Sequence, residues 1–244
     1  MIDIHSHILP GVDDGSQDLS LSRTLIEDAL ADGITAICLT PHFVPFYGFG
    51  KRRDELEKIF GKFKEETADL GMKIFLGNEL FIRHDLDVLL EEKQVCSLND
   101  TRYVLVEFSF EGYQDDYDEY LYNISLNCRI IIAHPERYAF VKEDPSFVRR
   151  WTDNGYLLQA NSTSLKQRDT RSCIYYFLDN GLLSVMASDA HGLHRPLKLK
   201  EAYEMISHAY DEQTAELLMQ VNPQAILNDE DTLKVPKTRR HILW

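Results

Sequence analysis

Short apolar runs punctuate the chain at residues 2–4, 36–39, 73–76, 103–106, 130–133, 157–160 and 183–187, rich in β-branched and large aliphatic side chains and lacking polar alternation. Strands buried on both faces, as in parallel sheets covered by helices, have this pattern. Between the runs, apolar positions recur at helical spacing over 19–32, 51–70, 115–127, 146–154 and 170–180. Gly33, Gly71, Gly155 and Gly181 stand where four of these segments should stop, because glycine adopts the left-handed conformation that ends a helix. From about residue 211 a further helix and then an irregular end are expected. The alternation predicts seven strands joined by crossover helices, hence a mostly parallel arrangement that is either a doubly wound sheet or a closed barrel.

The polar residues just beyond the runs decide between these. They are His5 and His7, then His42, Glu79, Glu107, His134 and Asn161, and finally Asp189 with His191. In a barrel the C-terminal ends of all strands meet at one mouth, whereas an open sheet would spread the same residues along a line. The expected fold is therefore α/β, an irregular seven-stranded (β/α) barrel. The 244 residues suffice for one large domain and are short for two, so a single domain over 1–244 is expected. Its basic end from about 234, with Lys234, Lys237, Arg239, Arg240 and His241, reads as a solvated tail.

Side chains alternate along a strand, so His5-Ser6-His7 places two imidazoles on one face, where both can bind one ion. The turn Leu9-Pro10-Gly11-Val12-Asp13-Asp14-Gly15 follows directly. Asp13 reads as a turn residue, and Asp14 reads equally as a metal ligand reaching back over the mouth or as a helix cap. Thr40-Pro41-His42 and Ala133-His134-Pro135-Glu136-Arg137 end two strands in the same way, with a proline beside a histidine. Glu79 and Glu107 follow apolar runs, where a buried carboxylate needs a cation or strong hydrogen bonds to balance it. Asp189-Ala190-His191 closes the set with the same two-residue spacing that opened it.

The candidate ligands are thus His5, His7, Asp14, His42, Glu79, Glu107, His134, Asp189 and His191. Imidazole and carboxylate without thiolate suit two or three divalent ions of Mn, Fe or Zn. Such ions activate water and stabilise phosphoryl charge. Arg137 and Arg195 stand just past ligand positions, where a guanidinium either grips phosphate oxygens in a fork or makes a surface salt bridge. Together with Asp14 and His42 they form the expected catalytic set. Phe43, Phe46, Tyr47 and Phe49 follow His42 and are read either as a wall stacking on a phenolic ring or as a packed loop cluster. Cys96 and Arg102 match the C-x5-R spacing of thiolate phosphatases, but the five residues between them include no glycine to wrap backbone around phosphate, so that mechanism is rejected.

The net charge of -14 argues against nucleic acid, whose binding depends on Lys and Arg neutralising phosphates. Cys38, Cys96, Cys128 and Cys173 are widely separated and set in or beside apolar segments, as reduced thiols are. The start Met1-Ile2-Asp3-Ile4-His5 has no basic region and apolar stretch of a signal peptide, and no run reaches membrane-spanning length. A cytoplasmic protein without membrane insertion is expected.

In order along nearly the whole chain, Asp3-Ile4-His5-Ser6-His7-Ile8-Leu9-Pro10-Gly11 with Asp13-Asp14-Gly15, Thr40-Pro41-His42, Gly77-Asn78-Glu79, Ile132-Ala133-His134-Pro135-Glu136-Arg137, Gln159-Ala160-Asn161 and Ser188-Asp189-Ala190-His191 resemble the motifs of a family. It is the polymerase and histidinol phosphatase (PHP) superfamily, and within it the bacterial tyrosine-protein phosphatases of capsule and exopolysaccharide loci. Asn78 stands where that pattern is expected to carry Gln. The resemblance implies an irregular seven-stranded barrel with three metal ions, often manganese, held by the nine ligand candidates, and with Arg137 and Arg195 near the phosphate. It also implies a partner, the tyrosine-rich tail of a cytoplasmic tyrosine kinase that controls polysaccharide export. Rival readings are a small-metabolite phosphatase such as one for histidinol phosphate, a barrel hydrolase of the amidohydrolase or deoxyribonuclease type, and a catalytically silent binding module.

Overall fold

The computed structural model describes residues 1–238 and 240. Among the described residues the strands are β1 (Ile2–Ser6), β2 (Ala36–Leu39), β3 (His42–Phe43), β4 (Lys73–Leu76), β5 (Glu79–Phe81), β6 (Tyr103–Glu107), β7 (Arg129–Ala133), β8 (Leu157–Asn161) and β9 (Val185–Ala187). All pair in parallel, in a three-stranded sheet of order β1-β2-β4 and a six-stranded sheet of order β3-β5-β6-β7-β8-β9. The expected single set of seven strands is thus replaced by nine in two sheets. The additional strands β3 and β5 continue β2 and β4 beyond a break.

The breaks have local causes. Pro41, between β2 and β3, has no backbone N–H to give to a ladder. Gly77, between β4 and β5, is closely packed: a Cβ there would lie 2.7 Å from Leu98 Cδ2 and 3.3 Å from Leu98 Cα, so any side chain would require Leu98 to shift. Beyond the breaks the strands re-pair with His42 opposite Glu79. At the far end of the order, β1 approaches β9 through a parallel bridge between Ser6 and Ala190. There His7 N donates to Ala190 O at 2.7 Å and Asp189 N to His5 O at 2.9 Å.

Both faces of the strands are buried, as their continuous apolar character requires. Ile37, Leu39, Val104, Val106, Ile132, Leu158 and Met186 pack outward into the larger core with the helices. Ile4, Cys38, Leu105, Ile131, Ala133, Val185 and Ala187 form a separate inner cluster. Continuing the inner face by twos leads from Tyr103 and Leu105 to Glu107, from Leu157 through Gln159 to Asn161, and from Val185 and Ala187 to Asp189. In β1 the pairing slips between Asp3 and Ser6, where the chain passes from inner Ile2 and Ile4 to the histidines; such an irregularity re-aims side chains.

Helices form at Leu19–Ala31, Arg53–Glu66, Tyr117–Ser125 and Arg168–Asp179 close to expectation. The first is capped by Asp18, whose carboxylate accepts from Leu21 N at 2.9 Å. The segment expected over 146–154 divides into a 3-10 turn, Pro145–Val148, and a helix, Arg149–Thr152. Helices at Leu86–Glu91, Ala139–Glu143 and Lys200–Ala209 were not expected. Among the described residues the basic segment is exposed at Lys234 and Lys237 but anchored between them, where Val235 is buried; Leu233 exchanges two hydrogen bonds with Asn222, and Arg240 pairs with Asp179 at 3.1 Å. Arg239 and His241 lie outside the described residues.

Candidate metal centre

The strand ends bring the candidate ligands into three overlapping groups: His5, His7, Glu79 and Asp189; His42, Glu79 and Glu107; and His7, Asp14, His42 and His191. Glu79 joins the first two. Its Oε2 lies 3.3 Å from His5 Nε2, 3.2 Å from His7 Nε2 and 3.0 Å from His42 Nδ1. Asp189 Oδ1 lies 3.4 Å from both His5 Nε2 and His7 Nε2, and Asp14 Oδ1 lies 3.5 Å from His42 Nε2 and from His191 Nε2. His134 falls in none of the three groups, and its Nε2 sits 2.7 Å from Glu79 Oε1 and 4.0 Å from Glu107 Oε2.

Two of these residues hold uncommon backbone conformations, His134 at φ 34° and Asp189 at φ 54°. A non-glycine residue there costs about 1–3 kcal/mol, and such strain gathers at functional sites. It turns both side chains inward at the point where their strands end.

Donors and acceptors behind the candidate ligands fix their orientation. Asp13 accepts from His7 Nδ1 at 2.8 Å, from His42 N at 3.0 Å and from Gly15 N at 3.0 Å. The turn role read for Asp13 is therefore present in the Gly15 bond, and sequence reasoning missed the other two. Asn78, fully buried, donates to Pro41 O at 2.8 Å and accepts from Cys96 N at 2.9 Å, tying the two strand breaks together. Gly15 lies so close to the first strand end that a Cβ would stand 1.8 Å from His7 O.

The electrostatics are those of a cluster built to hold cations. Burial opposes charge on His5 and His42, yet Glu79 and its carboxylate neighbours outweigh it, raising them to about 9 and about 12. Against its own burial, Glu79 is held well below the usual carboxylate range by His5, His42 and His134. Burial and the nearby Glu79 raise Glu107, and burial lowers His134 to about 4. Without a cation, protons on imidazoles balance the carboxylates. Glu79 Oε2 is nonetheless buried with no hydrogen bond, as is His42 Nδ1. A buried carboxylate oxygen ringed by three imidazole nitrogens and bonded to none of them fits the binding of divalent metal.

Beside the cluster, Asp14, His42 and Glu107 open on a cleft of about 690 Å³ walled by Phe46, Tyr47, Phe49, Phe81 and Phe110. Phe43 points instead into the core, fully buried, so the loop aromatics divide between the two readings. Phe46 and Tyr47 are 64% and 72% exposed, an unusual state for large rings. His84, one of the histidines outside the ligand pattern, also lines the cleft. Arg137 lies over the Phe110 ring, its guanidinium carbon 4.7 Å from the centroid, and donates to Asp189 Oδ2 at 2.9 Å. Arg195 contacts the same oxygen. Cys96 is buried and burial pushes its thiol up to about 12, which disqualifies it as a nucleophile.

A model of the family described as capsular polysaccharide synthesis, CpsB/CapC, matches residues 1–228. Tyrosine-protein phosphatase CpsB of Streptococcus pneumoniae is 33% identical over 243 residues, covering 94% of this chain and 99% of its own. Tyrosine-protein phosphatase YwqE of Bacillus subtilis is 29% identical over 246 residues, with 97% and 95% covered. A chain from the crystal structures of these metal-dependent tyrosine phosphatases, YwqE and CpsB, superposes with a TM-score of 0.91 at 26% identity over 100% of both chains.

Proposed function

This chain belongs to the CpsB/CapC family of capsular polysaccharide synthesis, and from that premise we propose how its strand-end cluster cleaves phosphotyrosine. The protein is a metal-dependent tyrosine-protein phosphatase, a phosphoric monoester hydrolase. One observation carries the reading: the imidazoles of His5, His7 and His42 converge on the buried, unbonded Glu79 Oε2 beside an aromatic cleft.

The ligands in this proposal are His5, His7, Asp14, His42, Glu79, Glu107, His134, Asp189 and His191, enough for two or three divalent ions, with manganese first and iron or zinc as alternatives. Ions bound there supply Lewis-acid activation of water and neutralise charge on the phosphoryl group. Arg137 and Arg195 turn from Asp189 Oδ2 to the non-bridging phosphate oxygens as the ester enters. Asp14 and His42 open on the cleft and complete the catalytic set. Phe46, Phe49, Phe81 and Phe110 offer ring faces and edges to the phenolic ring, which favours an aryl phosphate over an alkyl one.

The same proposal treats the two sheets as one irregular barrel of seven strand positions. The continuation of β2 into β3 and of β4 into β5, with the Ser6–Ala190 bridge, supports it. The partner proposed is the phosphotyrosine-bearing tail of a tyrosine kinase that regulates capsule or exopolysaccharide synthesis. The open, aromatic cleft suits a protein tail better than a small metabolite. Among the described residues no helix is long and apolar enough to cross a membrane, and the free cysteines accord with a cytoplasmic site of action.

Manganese-dependent phosphate release from a phosphotyrosine peptide, a phosphoserine peptide and histidinol phosphate tests the reading. The tyrosine peptide should be preferred, with turnover lost on chelation and reduced at least about 100-fold in His134→Ala. Preference for histidinol phosphate would move the protein to metabolite chemistry, and no metal-dependent release from any of the three would refute phosphoester hydrolysis.

A further inference from the structure

Two buried amides on β8 connect two of the proposed ligands from behind. Gln159 and Asn161 share the inner face of β8, and both are buried. His5 Nδ1 lies 2.8 Å from Gln159 Oε1, Gln159 Nε2 donates to Asn161 Oδ1 at 2.9 Å, and Asn161 Nδ2 donates to Asp189 Oδ2 at 2.7 Å. Asn161 is held further by its backbone N–H, which donates to the buried Glu136 Oε1 at 2.9 Å.

The direction of every bond in this row is dictated from one end. An ionised carboxylate only accepts, so Asn161 must turn its NH2 group to Asp189. Its carbonyl oxygen then faces Gln159 and demands the Gln159 NH2 group. That leaves Gln159 Oε1 toward His5, where it requires a proton on Nδ1. A neutral imidazole protonated on Nδ1 has its lone pair on Nε2, the nitrogen that lies 3.3 Å from Glu79 Oε2 and 3.4 Å from Asp189 Oδ1. At the other end, Asn161 holds Asp189 Oδ2 whether or not the two arginines stay on it, and Oδ1, 3.4 Å from His5 Nε2 and His7 Nε2, is the oxygen that faces the cluster.

We propose that Gln159 and Asn161 are positioning residues, an amide relay that transmits the fixed polarity of Asp189 to the tautomer of His5 and so presets both as ligands of the same ion. The inference rests on the assignment of His5 and Asp189 as metal ligands. Removing a partner that orients a metal-bound histidine costs about 10–100-fold in metal affinity. Because the relay works as a unit, breaking it at either amide should cost nearly as much as breaking it at both.

The test is manganese affinity, measured by titration calorimetry on the full chain, for Gln159→Leu, Asn161→Leu, the double variant and His5→Ala. Each single leucine variant should bind about 10–100-fold more weakly, and the double variant no more than a few-fold worse than the weaker single. Asn161→Asp keeps side-chain volume but removes the donor to Asp189 and should show the same loss if the leucine variants fold poorly, whereas Gln159→Glu keeps an acceptor for His5 Nδ1–H and should lose less. In the zinc-loaded wild type, nitrogen-15 spectra should place the His5 proton on Nδ1, with that signature lost in Asn161→Asp. Unchanged affinity in the Gln159 and Asn161 variants, with His5→Ala impaired, would overturn the relay alone. Additive losses in the double variant would reduce the amides to independent packing residues. Unchanged affinity in His5→Ala would overturn the ligand assignment and the relay with it.

Discussion

Phe110 stands at the point where recognition and chemistry meet. Its ring stacks on His134 with centroids 5.5 Å apart and planes inclined by 27°, lies beneath the Arg137 guanidinium, and is 41% exposed. A ring placed so can steer Arg137 and touch a phenyl group at once, and each such contact is worth about 0.5–1.5 kcal/mol. Phe110→Ala should therefore lower kcat/KM for a phosphotyrosine peptide about 2–10-fold and leave phosphoserine hydrolysis less affected; equal losses on both peptides would assign Phe110 to arginine support alone. At this scale the sequence pointed to the residues that cluster because histidines and carboxylates recur just past apolar runs. Asp13 was harder, since an aspartate two residues before a glycine signals a turn, and nothing in the chain says that its other oxygen meets His7. Asn161 was legible as a strand-end polar residue and Gln159 as part of the same motif, but what either contacts is unreadable until the fold brings His5 and Asp189 to them.

The loop after β1 depends on one glycine for space and not for conformation. Gly15 passes so near His7 that a methyl group would overlap its carbonyl oxygen, and neither partner can give way because Ser16 N donates to that same oxygen at 2.9 Å. Gly15→Ala should destabilise the fold by about 1–3 kcal/mol as overpacking does, read from urea unfolding midpoints, and should weaken activity by displacing Asp13 and Asp14; an unshifted midpoint would show that the loop relaxes freely. The seven long runs and most helices were legible because each buries a continuous apolar stretch or stripe. β3 and β5 escaped because two or three residues make no periodic signal, and they begin just past a proline and a Gly-Asn pair that read as strand ends. The helix Lys200–Ala209 escaped because much of its buried stripe, Ala202, Ile206 and Ala209, is small.

For the molecule as a whole, the cluster makes stability depend on pH in opposite senses with and without metal. In the metal-free chain, despite the opposing effect of burial, neighbouring carboxylates raise His5 from 6.5 to about 9 and His42 to about 12. Stability from these groups is complete below pH 6.5 and declines as pH climbs through about 9 for His5. Glu79 is shifted down, so its contribution holds above its ordinary value of 4.5 and fades as acid is added. A bound cation competes with those same imidazole protons, so its affinity rises with pH, and at a hundredfold excess over Kd it adds about 2.7 kcal/mol. Between pH 6.5 and 8.5 the unfolding midpoint should fall in chelator and hold or rise in manganese; parallel curves would mean that the ion binds elsewhere. The convergence of strand ends on one cluster was legible, whereas the division into two sheets depends on breaks too local for periodicity to reveal. The stitching of β1 to β9, with His7 bonded to Ala190 and Asp189 to His5, has a temporal meaning. A ribosome delivers His5 and His7 before Asp189 and His191, and seven of the nine proposed ligands before these last two, so the emerging polypeptide carries an incomplete cluster until both have been made. The proposed cluster can close only once His191 has been made, so competence for catalysis waits on the strand that pairs back to β1.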